Sequence, residues 1–168
     1  GYSRFEHEGH GISHTLDWFV AATEPVRIAR LRLTNAGDRA RRISATHFVE
    51  WSLGDSRSKA QQRVVTWWDE NAEMLMAHSW FNLDFPGRPA FLACSGTVGS
   101  YTASRTEFIG RNGIPASPEA MRRRNLGAQT GRFHDNCGAL MHTLELAPGE
   151  TAEVVFMLGQ CETVEAAH

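Results

Sequence analysis

The chain predicts an all-β fold, and three observations predict it. Runs of alternating apolar and polar residues recur along nearly all of its 168 residues. Clusters of glycine, proline and small polar residues separate these runs at short intervals. Helical signal is confined to a few positions before Arg122, Arg123 and Arg124 and to a helix start at 163–168. The expectation is a mostly antiparallel sandwich or barrel of about nine or ten strands with almost no helix.

In chain order, residues 2–8 alternate aromatic and polar side chains, and Gly9 and Gly11 mark a turn. Residues 12–21 form a second strand, stopped by Thr23-Glu24-Pro25. Residues 26–35 form a third, whose apolar phase changes between Ile28 and Leu31; a one-residue phase change predicts a β-bulge. Residues 43–53 alternate most cleanly, with Ile43, Ala45, His47, Val49 and Trp51 on one face. Phe48, on the polar face, predicts partial cover there. Residues 54–62 are polar and turn-like. Residues 64–68 and 74–80 read as a hairpin around 69–73, and residues 82–89 as a Pro/Gly loop. Residues 91–95 and 101–107 are two more short strands. Residues 138–146 and 151–158 flank Ala147-Pro148-Gly149-Glu150, where proline then glycine at the centre predicts a type II turn.

Residues 104–125 interrupt this pattern. Gly110 and Gly113 permit positive φ, while Pro115 and Pro118 stiffen the chain beyond them. A long connection of this kind in a compact β domain is functional more often than not, so a shaped loop is expected.

Composition excludes several classes. The net charge is −2, which argues against nucleic acid or an anionic membrane as partner. Lys59 is the single lysine among 17 basic residues, as a codon bias produces. Cys94, Cys137 and Cys161 are far apart with no metal-ligand spacing, which predicts reduced thiols in a cytoplasmic setting and no zinc site. No run approaches the ~18 apolar residues of a membrane span. The opening on Gly-Tyr-Ser inside a strand and the close on a helix start lead to the expectation of a piece of a longer protein.

Candidate chemistry is sparse. His7, His10 and His14 lie beside Glu6 and Glu8, but strand–turn–strand geometry does not force them to converge on a metal. His47 with Glu50, or His78 with Asp84, are the pairs available to a mutarotase-type acid and base. No nucleophile elbow, phosphate loop or dinucleotide fingerprint is present. Trp67 and Trp68 are adjacent in a strand and point to opposite faces, so one of them is expected to meet solvent, a loop or another domain. Trp18, Trp51 and Trp80 are expected inside.

Several strings then combine: GYSRFEHEGHGI, EPVRIARLRLTN, RRISATHFVEWSLGDSR, TEFIGRNG with PEAMRR, and ELAPGETAEVVFMLG. In this order they resemble the N-terminal β-domain of glycoside hydrolase family 94, the glycoside phosphorylases. Within that family the similarity is greatest to the phosphorylase-like part of the cyclic β-1,2-glucan synthases. The most specific pieces are residues 1–5, 49–54, 106–113 and 146–159.

The resemblance implies a β-supersandwich of galactose mutarotase-like type over residues 1–160, its first strands preceding this sequence. Residues 161–168 would start a linker helix toward an (α/α)6 barrel that holds the catalytic and phosphate-binding residues. It therefore implies no catalytic residue, metal or cofactor in this chain. It implies a supporting or carbohydrate-binding role beside that barrel, with β-glucan or a gluco-oligosaccharide as ligand and a homodimer as a further partner. The parent synthase would be membrane-embedded, this part cytoplasmic and not itself inserted. Loops from such a β-domain wall the sugar site, which assigns Glu107, Phe108, Arg111 and Asn112 to a carbohydrate or domain interface, with Trp67 and Trp68 as further candidates. Two other readings compete: a stand-alone mutarotase- or epimerase-like enzyme, and a pure oligomerisation module.

Overall fold

Eleven strands build two antiparallel sheets in the computed structural model, which describes residues 1–82 and 85–167. The strands are β1 (Tyr2–Gly9), β2 (Ile12–Val20), β3 (Val26–Asn35), β4 (Arg41–Val49), β5 (Val64–Asp69), β6 (Met74–Ser79), β7 (Ala90–Cys94), β8 (Ser100–Ser104), β9 (Gly131–Arg132), β10 (Asn136–Leu146) and β11 (Thr151–Gln160). Two short helices, α1 (Arg57–Ala60) and α2 (Arg105–Ile109), are joined by 3-10 turns at Gln61–Arg63, Glu119–Arg122 and Glu165–Ala167. The large sheet runs β1-β2-β3-β11-β7-β6-β5-β9, and the small sheet β4-β10-β8.

The small sheet packs on the inner face of the large one. Strand alternation places Leu75, Leu92, Val154 and Phe156 against Ala45, Val49, Leu140 and Leu146, and these form the main core. The outer face of the small sheet is covered as well. Phe48, Ala139 and Met141 meet Phe108, Ile109, Ala120 and Leu126 from the segment after β8. A third cluster on the outer face of the large sheet gathers Met74, Met76, Phe91 and Ala93 with Trp67, Met157, Cys161 and Val164. The sandwich thus has apolar residues on three interfaces, which is why several strands alternate imperfectly.

The connection from β10 to β11 is an arch between sheets, since β10 is central to the small sheet and β11 to the large one. Its turn has the type II features: Gly149 has φ 76°, and Glu150 N donates to Ala147 O at 3.0 Å. Asn35, fully buried at the end of β3, fastens it. Its Nδ2 donates to Leu146 O (3.0 Å), Ala147 O (3.1 Å) and Arg39 O (2.8 Å), and its Oδ1 accepts from Gly37 N (3.1 Å). Asn35→Ala removes four hydrogen bonds to backbone groups and should cost about 2 kcal/mol. Urea denaturation of the variant checks this.

Three expectations need correction. β3 carries no bulge: its pairing with β2 and with β11 runs without a register shift. Its phase change arises because Ala29 and Leu33 face the main core while Val26 packs in the third cluster. β4 ends at Val49, not at 53. Trp51 stays buried outside the ladder, where its Nε1 donates to Cys137 O at 2.7 Å. β8 ends at Ser104, and α2 takes the residues expected to continue it, because the Ser104 hydroxyl accepts from Glu107 N at the start of the helix. Residues 57–63, within and just past the stretch read as polar and turn-like, form helical turns.

Candidate functional site

The segment after β8 is a shaped projection. Gly110 closes α2 with φ 92° and lets the chain turn back. Gly113 lies so close to α2 that a Cβ there would meet Ile109 O at 1.9 Å, so only glycine fits. Gly113 N donates to Gly110 O (3.2 Å), and an isolated bridge joins Ile114 to Ser117. Between these anchors residues 111–117 are all exposed. Arg111 and Asn112 stand at the tip, with Ile114 and, from the following turn, Met121 also exposed.

Glu107 and Phe108 are placed differently from Arg111 and Asn112. Phe108 is only 3% exposed and stacks on Phe48, centroids 4.5 Å apart and 12° from parallel. It does not reach the surface; it anchors the projection, because its position in a five-residue helix points it onto the outer face of the small sheet. Glu107 is nearly covered, its side chain 9% exposed. One carboxylate oxygen takes a charged hydrogen bond from Arg123 Nη1 at 2.5 Å, bracing the two ends of the segment. Its other oxygen is buried without a partner among the described residues.

The tryptophans sort against expectation. Trp67 and Trp68 do point to opposite faces, and both are half-buried. Trp68 stacks on Tyr101 at 4.1 Å, nearly parallel, and Trp67 packs in the third cluster. Trp51 alone of the other three is internal. Trp80 is 73% exposed and Trp18 38%, which corrects the expectation that both are core. Trp80 sits edge-on to His78 (4.6 Å), and Phe81 beside it lies under the Arg63 guanidinium at 4.3 Å. Phe81 and Phe85 are exposed as well, which alternation did not reveal.

His47 and Glu50 do not come together as an acid–base pair. Glu50 accepts from Arg105 Nε at 2.5 Å and lies 3.4 Å from Arg57 Nη2; both arginines also reach Asp135 (3.3 and 2.6 Å). Glu50 is thus engaged in an ion-pair network with two guanidiniums, not aimed at His47. His47 faces the other way and stacks on Phe156 at 5.3 Å. Burial, and then the nearby Arg27 charge, lower its pKa to about 4, so its ring is neutral at pH 7. Asp84, the partner considered for His78, lies outside the described residues. Asp17, on the outer face, is held well below the usual carboxylate range by hydrogen bonds from Arg4 (2.7 Å) and Arg30 (2.8 Å). His7 and His14 pair across β1 and β2 with centroids 5.4 Å apart, but among the described residues no three potential ligands converge to hold a metal. No helix among the described residues is long and apolar enough to cross a membrane.

Comparison with known proteins narrows the assignment. The profile described as "Glycosyl hydrolase 94, supersandwich domain" matches residues 1–168. The chain is 35% identical over 163 residues to a cyclic beta-(1,2)-glucan synthase, NdvB, of Rhizobium meliloti (strain 1021), covering 96% of this chain and 6% of that protein. It is 29% identical to a solabiose phosphorylase of Paenibacillus borealis, covering 99% and 22%. It is 26% identical to an N,N'-diacetylchitobiose phosphorylase of Vibrio furnissii, covering 94% and 20%. The chain therefore spans less than a quarter of the length of these relatives. Among solved structures a polysaccharide lyase shares the fold, with TM-score 0.56 at 12% identity over 97% of this chain and 22% of the lyase.

Proposed function

This chain belongs to the supersandwich domain family of glycosyl hydrolase 94, and from that premise we propose that it is a non-catalytic supporting domain of a β-glucan synthase or glycoside phosphorylase. In this reading it docks on a neighbouring (α/α)6 catalytic barrel on the cytoplasmic side and completes the wall of the sugar site. The observation that carries the proposal is the projecting segment at 111–117. It is exposed over seven residues, yet clamped at its base by glycine turns, buried Phe108 and the Glu107–Arg123 pair. A rigid loop with an arginine and an asparagine at its tip is suited to hydrogen-bonding sugar hydroxyls or a barrel surface.

The ligand class proposed is a β-linked gluco-oligosaccharide, β-1,2-linked by analogy with the synthase relative. The test is Arg111→Ala in the full-length enzyme. Loss of one charged contact at the reacting sugar's wall should lower kcat/KM by about tenfold, or 1.4 kcal/mol, with the melting temperature unchanged. Activity and stability both at wild-type level would overturn the placement. Titrating the 168-residue chain with linear β-1,2-gluco-oligosaccharides, with cello-oligosaccharides as control, reports whether it also holds sugar by itself. Trp80 and Trp18 are the exposed indoles that read such binding.

A further inference from the structure

We propose that the cleft between the β5–β6 turn and the start of β8 is a binding site for a neutral saccharide, separate from the projection at 111–117. Its centre is the stacked pair of Trp68, from the large sheet, and Tyr101, from the small one, with ring centroids 4.1 Å apart and planes 7° from parallel. A cleft of about 390 Å³ opens beside this pair, a size suited to a small ligand. Glu70 and Glu73 of the β5–β6 turn line it, with Asn125 and Ala128 from the segment that runs beside β8. Three separate parts of the chain thus meet around one aromatic pair.

The polar side chains of this cleft are unengaged. The carboxylates of Glu70 and Glu73, the Asn125 amide, the Trp68 Nε1 and the Tyr101 hydroxyl make no hydrogen bond or ion pair among the described residues. The backbone there is held in an unfavourable conformation. Three non-glycine residues among the described ones have positive φ, and two of them, Glu73 (51°) and Ala128 (51°), line this cleft. Turn positions of that kind usually take glycine or asparagine, and alanine seldom enters them. Ala128 is kept there by its N–H, which donates to Tyr101 O at 2.8 Å, and next to it Leu126 N donates to Ser100 Oγ at 2.9 Å. The wall of the cleft is therefore fastened to the strand that carries the tyrosine, so little of it has to be ordered when a ligand binds.

A neutral saccharide fits this set of groups. Its C–H face packs on an aromatic side chain, its hydroxyls donate to carboxylates, and an amide both donates to them and accepts from them. A phosphorylated sugar is repelled by the two carboxylates, and no basic residue lines the cleft to offset them. A cation gains little, because Glu70 and Glu73 are exposed and hold an ion weakly in water. The two rings also stack on each other and do not stand apart as a cage around a charge. The saccharide class rests on the reading of this domain as part of a β-glucan enzyme, whereas the cleft shares no residue with 111–117.

Hydrogen–deuterium exchange of the full-length protein tests it, with linear β-1,2-gluco-oligosaccharide and, at equal concentration, glucose-1-phosphate as probes. The expected result is that amides of residues 70–73 and 98–101 exchange at least about threefold more slowly with the oligosaccharide and are unaltered by the sugar phosphate. That slowing should persist in Arg111→Ala. In the double variant Glu73→Gln, Asn125→Ala, whose two side chains are exposed and dispensable for folding, the concentration for half-maximal slowing should rise at least about tenfold. Slowing confined to 111–117 leaves the supporting role intact and overturns the cleft; no slowing at either place overturns it too. So does slowing that the double variant retains at the wild-type concentration, or that glucose-1-phosphate matches.

Discussion

Replacing Phe108 with alanine should lower the stability of the domain by about 3–5 kcal/mol and release the projection it anchors. The ring is 3% exposed, stacks on Phe48, and packs with Ile109, Ala120 and Met141. Truncation removes the aromatic contact between the segment after β8 and the outer face of the small sheet. The cavity cannot close readily, because the floor is a hydrogen-bonded sheet and the roof is a five-residue helix. Phe108→Leu keeps most of the volume and should cost under about 1.5 kcal/mol. Chemical denaturation measures both variants, and proteolysis near 111–117 reports the release. A Phe108→Ala protein of wild-type stability but weakened oligosaccharide binding would return this ring to the interface that the sequence suggested.

The second large effect is on pH dependence. His47 titrates near 4 in the folded chain and near 6.5 when unfolded. Between these values the unfolded chain binds the proton and the folded one does not, so stability rises with pH through that window. The contribution is fully present above pH 6.5 and is lost as pH falls toward 4. It amounts to about 3 kcal/mol. His47→Phe keeps a ring against Phe156 and removes the proton site. The difference in stability between wild type and variant should therefore shift by about that amount between pH 7 and pH 4. A difference independent of pH would show that the ring is solvated.

The positions of the strands were legible because alternation and glycine–proline punctuation are local, and the Pro148–Gly149 turn is as local as a signal can be. Helix α2 was missed: its signal is Ser104-Arg105-Thr106-Glu107, a serine with a glutamate three residues on, but the alternation of the preceding strand masked it and residues 101–107 read as a strand. The phase change in β3 misled because it marks cover on both faces of the large sheet. The exposure of Trp18 and Trp80 was not legible at all, since it depends on how far the small sheet reaches over the large one. The charged group of Glu50, Arg57, Arg105 and Asp135 draws on four separate segments. No spacing along the chain announces it. At the candidate site, Arg111 and Asn112 stood out by their flanking glycines, whereas the burial of Phe108 needed the opposing Phe48.

The arch between β10 and β11 has a bearing on the order of assembly. β11 is the sole link in the large sheet between the β1–β3 half and the half built from β5, β6, β7 and β9, and β10 holds both outer strands of the small sheet. On a ribosome, β1–β3 and the β5, β6, β7 and β9 group emerge before β11, the strand that joins them, and β4 and β8 emerge before β10, their common partner. The slow event in biogenesis is then the insertion of one late hairpin-like arch into two waiting gaps, a step dominated by distant contacts. Until it completes, the halves expose unpaired edges, and that interval is when the nascent chain most needs protection from aggregation.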